Sequence, residues 1–129
     1  MKDSASNDTF YKREERPWGS FEQFSDNEVS TVKLIHVDAG QRLSLQKHSK
    51  RSEFWRVVSG SGTFEIDGVA RDVSVGDEAN IPVGSLHRLA GGADGITILE
   101  IARGEFDEHD IERVEDDFGR IEESIPTNT

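Results

Sequence analysis

The chain has 129 residues, 33% of them hydrophobic, no cysteine and a formal net charge of −11. That length suits one domain with a buried core, and the missing cysteines exclude a disulfide framework and leave only nitrogen and oxygen as metal ligands. The acidity argues against a nucleic-acid partner, whose phosphates recruit Lys and Arg, and no run approaches the roughly 20 apolar residues that span a bilayer.

The opening MKDSASNDTFYKREER is charged and lacks the apolar stretch of a signal peptide, in keeping with a cytoplasmic location. Residues 1–15 are expected to form a flexible tail, 16–121 the domain, and 122–129 a polar C-terminal tail. Short apolar runs between turn residues predict strands over Val29 to Val37, Gln41 to Gln46, Phe54 to Ser59, Gly62 to Asp67, Val69 to Val75 and Ile96 to Arg103. Asp67-Gly68 is a two-residue hairpin signal, because both residue types accept positive φ. The stretch DEHDIERVEDDFGR fits a short helix or a last extended piece. Many short strands with Gly-rich turns make the fold class all-β, a small closed or two-sheet architecture.

Two segments stand out. Gly40-x5-Gln46-x-His48-x4-Glu53-x6-Gly60 puts Gln46 and His48 on one face of a strand, with Glu53 opening the next. Gly76-x5-Pro82-x-Gly84-x2-His87 adds a second imidazole after a proline–glycine turn. Two imidazoles, a carboxylate and an amide oxygen form a ligand set for one divalent ion. Zinc fits these donors best, and manganese, cobalt, nickel, iron and magnesium stay open.

The paired segments resemble the two motifs of the cupin superfamily, whose fold is a double-stranded β-helix or jelly-roll barrel, with Gln46 in place of the first histidine. Further blocks, RPWGSF at 16–21, Arg51-x-Glu53-x-Trp55, Ile81-Pro82-x-Gly84-x-x-His87-Arg88-Leu89 and Asp110-Ile111-x-Arg113 through Arg120, are similar to the type II phosphomannose isomerase domain. In that family the domain often follows a mannose-1-phosphate guanylyltransferase domain, which these residues do not contain, so a stand-alone domain is expected. The chain departs from the family at Ser49, Lys50 and Phe54, where histidines are common; a changed polar lining beside the ligands is the expected consequence.

The resemblance implies interconversion of mannose 6-phosphate and fructose 6-phosphate through an enediol. That reaction needs a Lewis acid, a base near C2, and cations for the phosphate. Glu100, a carboxyl in the apolar strand ITILEIA, is the candidate base, with a simple ion pair to Lys or Arg as the other reading. Lys33 shares its strand face with Ile35 and Val37, and Arg42 has the parity of Gln46 and His48; both are candidates for the reaction site. Arg51, Arg88, Arg113 and Arg120 match family positions and are candidates for a phosphate clamp. Trp55 has the parity of Glu53 and is expected to line the pocket, whereas His36 and His109 fit no ligand spacing.

Two other readings stay beside the isomerase: a cupin that binds a sugar or sugar nucleotide without turnover, and a cupin metalloenzyme with another substrate, such as an oxygen-dependent iron enzyme. A homodimer is expected, with the RPWGSFEQF segment crossing between subunits.

Overall fold

The computed structural model describes residues 10–121, in which nine strands and no helix occur. Strands β1 (Lys12–Arg16) and β2 (Gly19–Gln23) form a separate hairpin. β1 therefore falls mostly inside the stretch expected to be a tail. On one face its charges alternate in sign, so Glu14 pairs with both Lys12 and Arg16, and Arg16 lies 4.9 Å over the Phe21 ring. The hairpin rests on its own barrel through Phe24 against Phe54, ring centroids 5.3 Å apart, and Glu22 against Arg56 at 3.1 Å.

The remaining strands are β3 (Ser30–Val37), β4 (Leu45–Lys47), β5 (Arg51–Ile66), β6 (Val69–Ser74), β7 (Glu78–Ile81), β8 (His87–Gly104) and β9 (Glu112–Glu115). β5 and β8 run antiparallel to each other along nearly their whole length, from Arg51↔Gly104 to Ile66↔His87. The first half of β5 and the second half of β8 carry β7 and β3 on their outer sides; the other halves carry β6 and then β4 and β9. Two layers thus share two bent strands. The bend falls where the β5–β8 register shifts, near Ser59 to Gly62.

Glycine makes that bend possible. A Cβ on Gly60 would sit 2.2 Å from the Gly95 carbonyl oxygen, and one on Gly62 would sit 2.0 Å from that of Ala90. Gly60 also has φ +76, a conformation that L side chains rarely adopt. The sequence reading split β5 at these glycines into two strands, since Gly punctuates an apolar pattern whether it marks a turn or a bulge.

Between the layers lie Trp55, Val57, Ile81 and Ile98 from one and Phe64, Val73 and Leu89 from the other, all buried. Each such side chain contributes about 1.5–3 kcal/mol of burial. Asp67 and Gly68 have φ of 50° and 83°, as the predicted hairpin between β5 and β6 requires. The acidic segment left open between helix and strand is extended at β9, which pairs with β4, with an irregular loop before it and a turn after it.

Candidate metal centre

Three turns deliver the ligand residues. β4 carries Gln46 opposite His87 of β8, and the chain then reverses so that Glu53 lies in the first turn of β5. Pro82 to Ser85 forms a turn closed by the Ser85 amide on the Pro82 carbonyl at 3.1 Å, with Gly84 at φ +85. The Gly84 amide donates to the carbonyl of His48 at 2.9 Å, joining the two motifs through the backbone. The Asp67 carboxylate accepts from the Ser85 hydroxyl (2.8 Å) and the Leu86 amide (3.0 Å), so the β5–β6 hairpin anchors the segment entering His87.

His48, Glu53 and His87 meet with one ligand atom each inside 4.8 Å of the others, all buried. Glu53 stands between the imidazoles: one oxygen is 3.2 Å from His48 Nε2 and the other 3.5 Å from His87 Nε2. Donors about 2.0–2.1 Å from a shared ion lie about 3.0–3.4 Å apart, so these spacings suit first-row metal coordination. His48 Nδ1 donates to the Asp110 carbonyl (2.6 Å) and His87 Nδ1 to the Ser85 carbonyl (2.9 Å). Each ring is thereby held in the tautomer whose Nε2 lone pair faces the cluster, the usual outer-shell arrangement of histidine ligands. His87 Nε2 is buried without a hydrogen-bond partner. A buried polar atom so placed is costly unless a ligand takes its lone pair, so the residues present fit a divalent ion.

The electrostatics agree. Burial pushes the Glu53 carboxyl up, but its contacts with His48 and His87 outweigh this and hold it well below the usual carboxylate range. Burial lowers His87 and favours the neutral imidazole that metals require. Glu100 goes the other way: burial first, then the charge of Glu53 and a hydrogen bond with it, push its carboxyl up to about 8, against Lys33 and Trp55. Two carboxyl groups side by side thus occupy opposite protonation states at neutral pH.

Beside the cluster opens a cavity of about 360 Å³ whose lining includes Lys33, Gln46, His48, Arg51, Glu100, Arg113 and Arg120. Its cations stand out in a chain of net charge −11. Lys33 pairs with Glu100 in the β3–β8 register. Gln46 Oε1 accepts from the Ser44 hydroxyl at 2.6 Å. Arg120 is clasped by Asp116, whose carboxyl this guanidinium holds down at about 2.

Two residues expected at the site lie elsewhere, and a third, Trp55, touches the cluster without lining the cavity. Arg42 shares strand parity with Gln46, but its half-exposed guanidinium forks onto Asp117 at 2.8 and 2.9 Å, because the chain between Gly40 and Leu43 is only bridged to β8 and not held in a continuous strand. Arg88 follows His87 and so points to the opposite face of β8, where it donates to the Leu43 carbonyl and to Glu115. Trp55 is 1% exposed and fills the core; its indole N–H is shared between Glu53 (3.1 Å) and Glu100 (3.2 Å), supporting the site from behind.

The departures from the family pattern also land outside the cavity. Phe54 alternates with Glu53 and Trp55, faces away from the cluster and packs on Phe24. Ser49 and the Lys50 amide bind the Asp110 carboxylate. None of the three lines this cavity, whereas Ser49 lines a second pocket with His48 and Asp110, so a changed polar lining beside a ligand is confined to that pocket. Sequence reasoning missed the roles of Asp110 and Phe106, which arrive from a loop without periodicity. His36, expected to be an ordinary polar residue, reaches the cavity rim, with Nδ1 2.8 Å from the Thr97 hydroxyl. His109 stays exposed.

Comparison with known proteins is consistent with this geometry. Two solved structures share the fold: a cupin protein from Bacteroides fragilis (TM-score 0.54, 25% identity, 58% of this chain and 65% of that one) and the capsular polysaccharide assembling protein CapF from Staphylococcus aureus (TM-score 0.61, 21% identity, 81% and 34%). Among curated relatives, the alginate biosynthesis protein AlgA of Pseudomonas aeruginosa is 41% identical over 110 residues, 84% of this chain and 23% of its own. The mannose-1-phosphate guanylyltransferase ManC of Salmonella typhimurium is 34% identical over 108 residues, 82% of this chain and 22% of its own. The chain spans about a quarter of the length of these relatives. The family model for the mannose-6-phosphate isomerase C-terminal domain matches residues 3–116. With that match across most of its length, an all-β cupin fold and a His–Glu–His cluster, the chain belongs to the mannose-6-phosphate isomerase C-terminal family.

Proposed function

We propose that this domain is a metal-dependent aldose–ketose isomerase that interconverts mannose 6-phosphate and fructose 6-phosphate. One observation carries the reading: a proton-holding carboxyl, Glu100, stands between the His48–Glu53–His87 cluster and a cation-lined cavity. Isomerisation removes the proton on C2 of the aldose, passes through an enediol, and returns a proton to C1 as the hydroxyl on C2 becomes the carbonyl. Glu100 is placed to carry that proton in both directions.

His48, Glu53 and His87, with Gln46 from β4, would hold the ion; when bound it would supply Lewis-acid polarisation of the sugar's oxygens. Glu53 is ionised and is itself one cause of the raised Glu100. With a cation held there, Glu53 would raise Glu100 less, and Glu100 would titrate nearer to the pH at which it works as a base. Lys33, opposite Glu100 in register, pulls in the same direction. Arg51, Arg113 and Arg120 are the cavity's guanidinium groups for the phosphate.

The test is isomerisation in D2O followed by proton NMR. Deuterium entering C1 of fructose 6-phosphate, and its loss in Glu100→Gln, support proton transfer by this carboxyl. Tight binding of mannose 6-phosphate with no product would favour a sugar-phosphate-binding domain instead.

A further inference from the structure

Arg51 makes a contact that substrate binding does not explain. Its Nη2 donates to His48 Nε2 at 3.1 Å, and its Nε donates to a Glu53 oxygen at 3.1 Å, the same oxygen that faces His48. These are the atoms that would ligate a metal. Because His48 Nδ1 is committed to the Asp110 carbonyl, its ring has one in-plane lone pair left at Nε2. That pair can accept from Arg51 or bind a cation, and it cannot do both. Arg51 is buried, lines the cavity, and stacks 4.5 Å from the centroid of Phe106, whose ring also lies 4.7 Å from the Lys33 ammonium.

We infer that Arg51 is a resident counter-cation of the cluster, and that a divalent ion loads by displacing its guanidinium from His48 and Glu53 into the open cavity, pivoting on the Phe106 ring that it already covers, where it serves as an anion-binding group. Loading of the cation and capture of an anion by Arg51 then favour one another, since each draws on the same displaced state. The inference rests on the metal-centre reading. It goes further by making Arg51 the link between the two binding events. A guanidinium suits the role because its planar fork spans His48 and Glu53 together, which a lysine ammonium does not.

The experiment is a Co2+ titration of the chelator-treated full chain, followed by visible absorption, with and without sulfate at constant ionic strength. For the wild type, sulfate should tighten Co2+ binding several-fold. Arg51→Met keeps a long unbranched side chain beside Phe106 but removes the competing cation. It should bind Co2+ about tenfold more tightly and lose the sulfate response, a coupling of ordinary size. Arg51→Lys should fall between the two and guards against a folding defect in the first variant. Lys33→Met, which removes a nearby charge without freeing a ligand atom, should change Co2+ affinity less than Arg51→Met. Wild-type or weaker Co2+ affinity in both Arg51 variants would overturn the inference and leave the metal centre standing; no Co2+ binding by any form would overturn both.

Discussion

The backbone carbonyl of Asp110 lies 2.6 Å from Nδ1 of His48, while the carboxylate of the same residue accepts from the Ser49 amide, the Ser49 hydroxyl and the Lys50 amide, each at 2.8 Å. One residue, brought in from the loop after β8, thus clamps the chain following His48 and sets the direction of its imidazole. Asp110→Ala keeps the backbone carbonyl but removes the carboxylate clamp that holds it against His48, so it should leave the barrel folded and weaken metal binding by about tenfold, the low end of the cost of losing an outer-shell partner outright. Calorimetric titration with Zn2+ checks this; unchanged affinity would mean that the carbonyl orients the ring without help from the carboxylate clamp.

Each histidine of the cluster is expected to be indispensable for the metal and dispensable for the fold. His48→Ala and His87→Ala should lose the bound ion, measured as metal content per chain after dialysis, with the β-sheet circular dichroism retained. Removing His87 also removes a buried nitrogen without a hydrogen-bond partner, so the chelated variant should not fall more than about 1–3 kcal/mol below the chelated wild type. Retention of a full metal complement by both variants would refute the site.

Glu100 carries a pH signature. Its carboxyl, ordinarily near 4.5, stands at about 8 in the fold, so between those values the folded chain holds a proton that the unfolded chain has released. Stability of the chelated protein should therefore decline as pH rises through that window, and its contribution should be level below it. Urea midpoints across the range measure the slope. Glu100→Gln should flatten it, while keeping metal and lowering isomerisation by about 100-fold or more.

Much of this was legible in the sequence because strand parity and motif spacing are local. His48, Glu53 and His87 needed only alternation and two turns to be brought together, with Gln46 lining the cavity beside them. The bend shared by β5 and β8 was not legible, since Gly60 and Gly62 give the same signal as a turn while their role, yielding space to the Gly95 and Ala90 carbonyls, depends on a strand more than 25 residues away. Arg42 and Arg88 show the limits of parity: one lies where regular pairing lapses, and the other points off the back of the strand that carries His87. Asp110 and Phe106 reach the site from a loop, where no period announces them.

A dimer remains the expected assembly. β3 pairs only with β8 among the described strands, and Val32 and Leu34 on its outer face are 59% and 70% exposed, as is Trp18 at the hairpin tip, at 73%. An open edge with apolar side chains favours pairing with a second copy. Light scattering at micromolar concentration should return twice the chain mass, and Leu34→Lys should shift it toward the monomer. A monomeric wild type would contradict the expectation.

The most direct measurement is a coupled assay for fructose 6-phosphate formed from mannose 6-phosphate, using chelated protein resupplied with each divalent metal in turn. The expected result is turnover restored by at least one metal and abolished in His87→Ala. No turnover with any metal, in a protein that binds one ion per chain, would contradict the isomerase and leave a metal-bearing domain with another substrate or a purely binding role.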